Sequence, residues 1–262
     1  METHSKDTLG DRLKEQERAE AGRKVQPNLP LIARLDGRAF HTFTRGLGRP
    51  YDKRLSDLMI DTTKHLVQFT HAVVGYTQSD EITLAWLPSE MPNSGYLFDG
   101  KYQKLTSTLA SVATGFFVKN LAARIPEKAN ALPTFDARVW NVPDLRDAYL
   151  NFLWRQDDAI KNSISMAAQA HFSHSTLHGV DGQQKRELLF QAGYPWEKEP
   201  PFFKWGTFIQ RQVRSVVLSE EELNRIAIEY RPTGPVERGV IVDLELGPLR
   251  EIQEPSKLLF KL

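Results

Sequence analysis

The chain has 262 residues, of which 40% are hydrophobic and 26% charged, and its formal net charge is +1. This length allows one well-buried domain with an appendage, or two small domains. No apolar run approaches the roughly 20 residues of a membrane span, and residues 1–24 lack the apolar segment of a signal peptide. The sequence contains no cysteine, which excludes disulfides and thiolate chemistry and favours a cytoplasmic protein. A nucleic-acid partner must therefore be bound by a local basic patch, because the chain as a whole is nearly neutral.

The predicted elements begin with a polar helix over residues 8–21, where acidic and basic residues are mixed as on a solvated helix face. Hydrophobic periodicity and turn residues then predict strand 29–36, helix 51–66, strands 70–78 and 81–87, helix 101–123 and strand 134–142. The chain after residue 142 is predicted to be helical to about residue 192. Two short strands are expected within residues 202–213 and 238–246.

The order β-α-β-β-α-β over residues 29–142 is that of the split βαβ, or ferredoxin-like, arrangement. The sequence thus predicts an α/β (α+β) protein whose residues 1–142 form the core together with the N-terminal helix. Residues 143–262 are expected to add helices and a small C-terminal portion of strands and loops. We expect this second portion to pack on the first as one compact unit.

Two acidic turns occupy related places in this fold. With the usual spatial strand order 4-1-3-2, the end of the first strand and the tip of the following hairpin lie at one edge of the sheet. Asp36 is at the first place and Asp80 at the second. Two such carboxylates, with the Gly37 carbonyl, are oxygen ligands suited to Mg²⁺. A pair of metal ions can hold the attacking and leaving oxygens of a phosphoryl transfer. The alternative is that each aspartate is an ordinary turn residue.

Six segments, in their order and spacing, resemble the tRNA-His guanylyltransferase family. They are RLDGRAFHTFT (34–44), RPYD (49–52), YTQSDEITL (76–84), YQKLTSTLAS (102–111), FDARVW (135–140) and WRQDDAIKNSI (154–164). The resemblance covers roughly residues 8–210 and implies a catalytic domain built like the palm of nucleic-acid polymerases.

The resemblance also implies an activity and a set of site residues. Family members add nucleotides in the 3′–5′ direction to the 5′ end of tRNA, using GTP after activation with ATP. Asp36 and Asp80 would hold two Mg²⁺ ions, with Gly37 as a further ligand. The residues implied in nucleotide binding are Asp36, Gly37, Arg38, Ala39, Phe40, His41, Arg49, Ser79, Asp80 and Lys104. Lys104 would face the phosphates and take part in catalysis, and a homotetramer would hold the tRNA.

The chain departs from the family at one place. Eukaryotic members have His-x-Asn-Asn after the Trp-Arg-Gln, whereas this chain has Ile160-Lys161-Asn162-Ser163. The histidine is absent, and only Asn162 keeps a role implied in handling the tRNA end. Together with residues 158–165 and 170–179, this favours the bacterial guanylyltransferase-like branch, which repairs 5′-truncated tRNAs.

Two other functions are compatible with the same residues. A palm-type nucleotide cyclase or signalling synthase would use the same metal geometry. A non-catalytic tRNA-binding module would retain the acids without turnover. Either alternative would leave the predicted fold unchanged.

Several further residues carry weaker expectations. Lys185 and Arg186 are candidates for contact with an RNA backbone, or simply part of a solvated helix face. Arg155 and Asp158 are expected to form an internal ion pair. Three histidines share a helix face and could in principle bind zinc, although packing or RNA contact is the favoured interpretation: His171, His174 and His178. Trp140 and Trp154 are expected to be core aromatics.

Overall fold

A computed structural model of the chain describes residues 8–88, 95–244 and 246–261. The helices are α1 (Thr8–Ala21), α2 (Phe40–Phe43), α3 (Lys53–Thr70), α4 (Tyr102–Arg124), α5 (Leu145–His171), α6 (His174–Leu177), α7 (Gly182–Gln191), α8 (Pro201–Trp205), α9 (Glu220–Asn224) and α10 (Pro255–Phe260). The strands are β1 (Leu31–Gly37), β2 (Val74–Gln78), β3 (Glu81–Trp86), β4 (Phe135–Asn141), β5 (Thr207–Val216) and β6 (Val236–Leu244). The last predicted strand also included Glu245, which lies outside the described residues.

All six strands form one antiparallel-paired sheet in the order β4-β1-β3-β2-β5-β6. The first four strands have the order that the β-α-β-β-α-β pattern predicts, so the ferredoxin-like arrangement is confirmed. β5 extends the sheet by pairing with β2, with Val74 opposite Gln210, and β6 pairs with β5. Because these strands follow residue 142 but complete the same sheet, we propose that the two predicted portions form one unit.

The predicted boundary between the second helix and the following strand was wrong. The strand expected from residue 70 begins at Val74, because α3 continues to Thr70. The Thr70 hydroxyl donates to the Leu66 carbonyl at 2.7 Å, as threonine can within a helix. His71, with a φ of 56°, then ends the helix in the left-handed conformation.

The two faces of the sheet are covered by different helices. Leu31, Ala33 and Leu35 point to the core under α3 and α4, whereas Ile32 points to the core under α5. Successive strand residues alternate between faces. Asp36 therefore lies on the same face as Ile32, which is the face that α5 covers.

Helix α5 lies on the sheet through a stripe that includes Ala148, Phe152 and Gln156. Trp154 lies on the opposite side of the helix wheel from this stripe. It is 55% exposed, and the expectation that it is a core residue was wrong. Trp140 is partly buried and packs against the core under α5. None of the described helices is long and apolar enough to cross a membrane.

Gln156 ties α5 to two later segments of the chain. Its side chain is 1% exposed. The Oε1 atom accepts from the Leu249 amide at 2.6 Å, and Nε2 donates to the carbonyls of Trp205 and Gly247, each at 3.3 Å. This one side chain thus satisfies three backbone groups that have little access to water.

We expect Gln156→Ala to lower the free energy of unfolding by about 2–4 kcal/mol, because it removes three hydrogen bonds, one of them to the buried Leu249 amide. Urea denaturation of the two proteins measures this difference. Gln103→Ala removes an exposed amide that donates to the Glu20 carbonyl at 3.3 Å, and this control should change stability by less than about 0.5 kcal/mol. Equal effects of the two substitutions would contradict the role assigned to Gln156.

Asp52 caps the N-terminus of α3. Its carboxylate accepts from the amide and the guanidinium of Arg54 and from the Gly48 amide. The hydrogen bond from the Arg54 side chain, together with these amides, lowers the pKa of Asp52 from 3.8 to about 2. The charged carboxylate therefore stabilises the folded chain above about pH 4, and this contribution is lost as the pH falls through about 2.

We expect Asp52→Asn to be less stable than the wild type near neutral pH, with a difference that shrinks as the pH falls from about 4 to about 2. Asparagine remains a good cap, so the comparison isolates the charge. The measurement is urea denaturation across this pH range. Asp57→Asn, which removes a surface pair with Lys53, is the control and should show a difference of less than about 1 kcal/mol throughout. A difference for Asp52→Asn that stays constant with pH would contradict the expected linkage.

Candidate active site

The two predicted acids meet where β1 ends against the tip of the β2–β3 hairpin. Ser79 turns the hairpin with a φ of 53°, and the Asp80 carbonyl accepts from the Gly37 amide at 3.0 Å. In the ladder between β1 and β3, Asp36 lies opposite Glu81. The structure thus brings Asp36 and Asp80 to one edge of the sheet, as the strand order predicts.

The carboxylates of this pair influence each other. Burial raises the pKa of Asp80, and the nearby charge of Asp36 raises it further. Hydrogen bonds from the Ser79 side chain and the Asp80 backbone oppose these effects, as does the charge of His41. Two acids in this arrangement repel each other, and a cation placed between them would relieve the repulsion.

The loop after Asp36 turns sharply around one aromatic anchor. The Phe40 ring is 3% exposed and packs on Phe117 and Phe135, with ring centroids 5.6 and 5.2 Å away. A Cβ atom on Gly37 would lie 2.4 Å from this ring, so only glycine allows the approach. Ala39 adopts a φ of 55° just before α2. The loop is therefore held in shape by the core, with its backbone at the edge of the cleft.

A cleft of about 640 Å³ opens above the acid pair, which is within the usual size range of small-molecule sites. The loop residues Gly37, Ala39, Phe40 and His41 line it, together with Arg49, Ser79 and both aspartates. Part of its lining is apolar. There the Tyr51 ring contacts those of Phe202 and Phe203, with centroids 5.1 and 4.7 Å away.

A second, more polar pocket of about 370 Å³ adjoins the cleft and shares Asp36, Ser79 and Asp80 with it. Asn162, predicted to handle the tRNA end, lies in this pocket beside the acids. Lys185 donates to the Ser165 hydroxyl at 3.2 Å, and Ser165 also lines the pocket. Two pockets thus meet at one pair of carboxylates.

Sequence reasoning missed three residues shared by the two pockets: Gln78, Met166 and Gln169. Gln78 directly precedes the hairpin tip. Met166 and Gln169 lie one and two helical turns after Asn162. Their helical spacing from Asn162 was the signal that could have identified Met166 and Gln169.

Two predicted nucleotide-binding side chains do not line the cleft or the second pocket. Lys104 is exposed on the first turn of α4. That end of α4 adjoins the start of β1, since Lys101 pairs with Lys24 and the preceding Tyr96 hydroxyl donates to the Leu29 carbonyl. Asp36 is at the opposite end of β1, so Lys104 lies away from the acid pair in this chain, and its role towards the phosphates stays a prediction.

The second of these side chains is Arg38. It is exposed, and its amide donates to the Thr134 carbonyl at 2.8 Å. This hydrogen bond directs the residue towards the start of β4. The backbone around Arg38 therefore shapes the loop, while its side chain does not line the cleft.

The remaining candidates are held by neighbouring groups. Arg186 pairs with Glu197, and its guanidinium lies 5.1 Å from the Trp196 ring. His171 stacks on Tyr194 at 3.8 Å. In the described parts of the chain, no group of three histidine, cysteine or acidic side chains could hold a metal.

Comparisons with known proteins agree with the fold. The family model for tRNA-His guanylyltransferase (Thg1) matches residues 10–143. The tRNA(His) guanylyltransferase of the yeast Debaryomyces hansenii is 30% identical, over 71% of this chain and 75% of its own.

Two solved structures of a bacterial Thg1-like protein are also similar. The complex with ATP superposes with a TM-score of 0.79 at 30% identity, covering 97% of this chain and 99% of the other. The complex with GTP has a TM-score of 0.75 at 28% identity, covering 98% and 100%. The chain belongs to the tRNA-His guanylyltransferase family of nucleotidyltransferases.

Proposed function

We propose that the chain adds nucleotides in the 3′–5′ direction to the 5′ end of tRNA, using GTP after activation of that end with ATP. The observation that carries this proposal is the acid pair, Asp36 and Asp80, at the junction of a nucleotide-sized cleft and a polar pocket. Two reactants can reach one pair of carboxylates from these two cavities. Similarity to a bacterial protein bound to ATP and to GTP supports the assignment of substrates.

The residues fit magnesium as the metal. Asp36 and Asp80 supply carboxylate oxygens and Gly37 a carbonyl, which are the hard ligands that Mg²⁺ prefers. Phosphate oxygens and water commonly complete its coordination, so two protein carboxylates suffice. When bound, two Mg²⁺ ions would neutralise charge on the phosphates and on the attacking and leaving oxygens.

The chain's own groups would place the nucleotide along the cleft. We propose that the base lies at the apolar part beside Tyr51 and Phe202, and that the triphosphate lies over the acids. Arg49 and His41 line the cleft and can supply positive charge to the phosphates. Ser79, at the hairpin tip, can donate a hydrogen bond to the same group.

The polar pocket would hold the RNA 5′ end, with Asn162 as a hydrogen-bonding partner. In the first step the 5′-phosphate attacks the α-phosphorus of ATP and pyrophosphate leaves. In the second, the 3′-hydroxyl of GTP attacks the activated 5′-phosphorus, its proton passes to solvent, and AMP leaves. Holding both reactants in line is itself a large part of the catalysis.

We further propose tRNA 5′-end repair as the main use of this chemistry, because the family's histidine before the Asn-Asn run is absent here. A tetramer remains a proposal that sedimentation can test. It would combine basic groups from several copies, which the nearly neutral chain needs in order to hold tRNA.

We expect Asp36→Asn and Asp80→Asn each to lower the rate of nucleotide addition by roughly 10³-fold or more, because each removes a charge that the metal ions require. The assay supplies Mg²⁺, ATP and labelled GTP to a tRNA that lacks its first nucleotide, and follows label at the 5′ end. Asp61→Asn, which removes a surface pair with Arg124, should leave the rate unchanged. No incorporation by the wild type, where a known family member is active, would disprove the proposed function.

The two alternative functions are separated by the same proteins. Incubation with GTP or ATP alone would yield a cyclic or linked nucleotide if the chain were a cyclase or signalling synthase. Unchanged tRNA binding by Asp36→Asn, with no turnover of any nucleotide by the wild type, would indicate a binding module.

A further inference from the structure

A largely buried ion pair lines the polar pocket together with the acid pair. Arg155 of α5 and Glu81 of β3 each expose only 16% of their side chains. The guanidinium donates to both carboxylate oxygens, from Nε to Oε1 at 2.5 Å and from Nη2 to Oε2 at 2.7 Å. A two-bond contact of this kind fixes the orientation of both groups as well as their separation.

Glu81 connects this ion pair to the metal-binding edge, which is the edge of the sheet where Asp36 and Asp80 lie. It directly follows Asp80 in the chain and lies opposite Asp36 in the ladder between β1 and β3. Any movement of Glu81 therefore moves the hairpin tip. Arg34 approaches Glu81 at 3.9 Å, beyond hydrogen-bonding distance, so it balances charge without fixing the geometry.

Arg155 also connects this edge to the polar pocket. Its Nη2 atom donates to Asp158 at 3.2 Å, and Asp158 accepts from the Asn162 amide at 3.2 Å. Side-chain contacts thus run from Glu81 through Arg155 and Asp158 to Asn162. One guanidinium therefore fixes the position of the metal-binding edge relative to Asn162 in the wall of the polar pocket.

The exposed Trp154 has a place in this arrangement. The Arg155 guanidinium lies 4.7 Å from the centre of its ring, within the range of a cation–π contact. The guanidinium is thus in contact with both the indole and the Glu81 carboxylate. The ring therefore helps to hold Arg155 in the orientation that the ion pair requires.

We propose that Arg155 is a positioning residue, which sets Asp80 against Asp36 and both against Asn162 through its paired hydrogen bonds to Glu81. The inference rests on the proposed function, because it assigns Asp36 and Asp80 to the metal ions. A lysine at this place would keep the charge but lose the planar fork, so charge and geometry can be tested separately.

Three variants test the proposal: Arg155→Lys, Glu81→Gln and the double variant. We expect each single change to lower kcat roughly 10- to 100-fold, since small displacements of reacting groups have effects of that size. The double variant should lose no more than the worse single variant, because both changes break one contact. Losses that multiply in the double variant would overturn the proposal.

A binding measurement separates positioning from folding. Fluorescence of a GTP analogue reports binding as Mg²⁺ is titrated, and we expect Arg155→Lys to need severalfold more Mg²⁺ for half-saturation. Binding without Mg²⁺ should be unchanged. Wild-type Mg²⁺ dependence together with wild-type kcat in Arg155→Lys would overturn the proposal.

The chain offers a matched control on the same helix. Arg250 donates to Asp157 from Nε at 3.0 Å and from Nη2 at 2.6 Å, but this pair is on the protein surface. Arg250→Lys should leave kcat, Mg²⁺ dependence and melting temperature as in the wild type. If Arg155→Lys lost activity only in proportion to its unfolded fraction, Arg155 would be structural and the proposal would fail.

Failure of the positioning role of Arg155 can be distinguished from failure of the proposed function. If the wild type binds the GTP analogue with Mg²⁺ but transfers nothing to RNA, the proposed function fails while the Mg²⁺ titration still tests Arg155. If the wild type is active and Arg155→Lys matches it, only the positioning role fails.

Discussion

The candidate site depends on one backbone hydrogen bond, from the Gly37 amide to the Asp80 carbonyl at 3.0 Å. It joins the end of β1 to the tip of a hairpin that lies 43 residues further along the chain. Because backbone groups are fixed by the sheet on either side, the two carboxylates cannot drift apart as they would on flexible loops. Glycine at position 37 is part of the same constraint, since the Phe40 ring occupies the space of a side chain there.

The order of the first four strands and the meeting of the two acids could be predicted from the sequence, because both follow from local periodicity and connectivity. The addition of β5 and β6 to the same sheet was not predicted. The approach of Asp36 and Asp80 needed no side-chain detail, only the strand order. The position of Lys104 relative to the acid pair could not be predicted in the same way. Its place on a helix was predicted, but which end of the sheet that helix start adjoins depends on the path of the preceding segment past Leu29 and Lys24.

The prediction that Trp154 is a core residue was wrong for a different reason. Aromatic residues are usually buried, but the position of a residue on the helix wheel decides whether it faces the core. The stripe through Phe152 and Gln156 leaves Trp154 on the outer side of α5. Its neighbour Arg155 reaches Glu81 from an intermediate position, so three consecutive residues serve a cation–π contact, an ion pair and a backbone clamp.

The acid pair is also bordered on a second side, by α5 and the C-terminal strands. A palm sheet alone would present Asp36 and Asp80 at an open edge, bordered only by the loop after Asp36. Asn162 and its neighbours on α5 form the other wall, and Gln156 fixes α5 to the segments around Trp205 and Leu249. One edge is thereby bordered by two cavities of different polarity. This is the geometry that a reaction between two phosphorylated partners requires, because each must reach the same carboxylates without displacing the other.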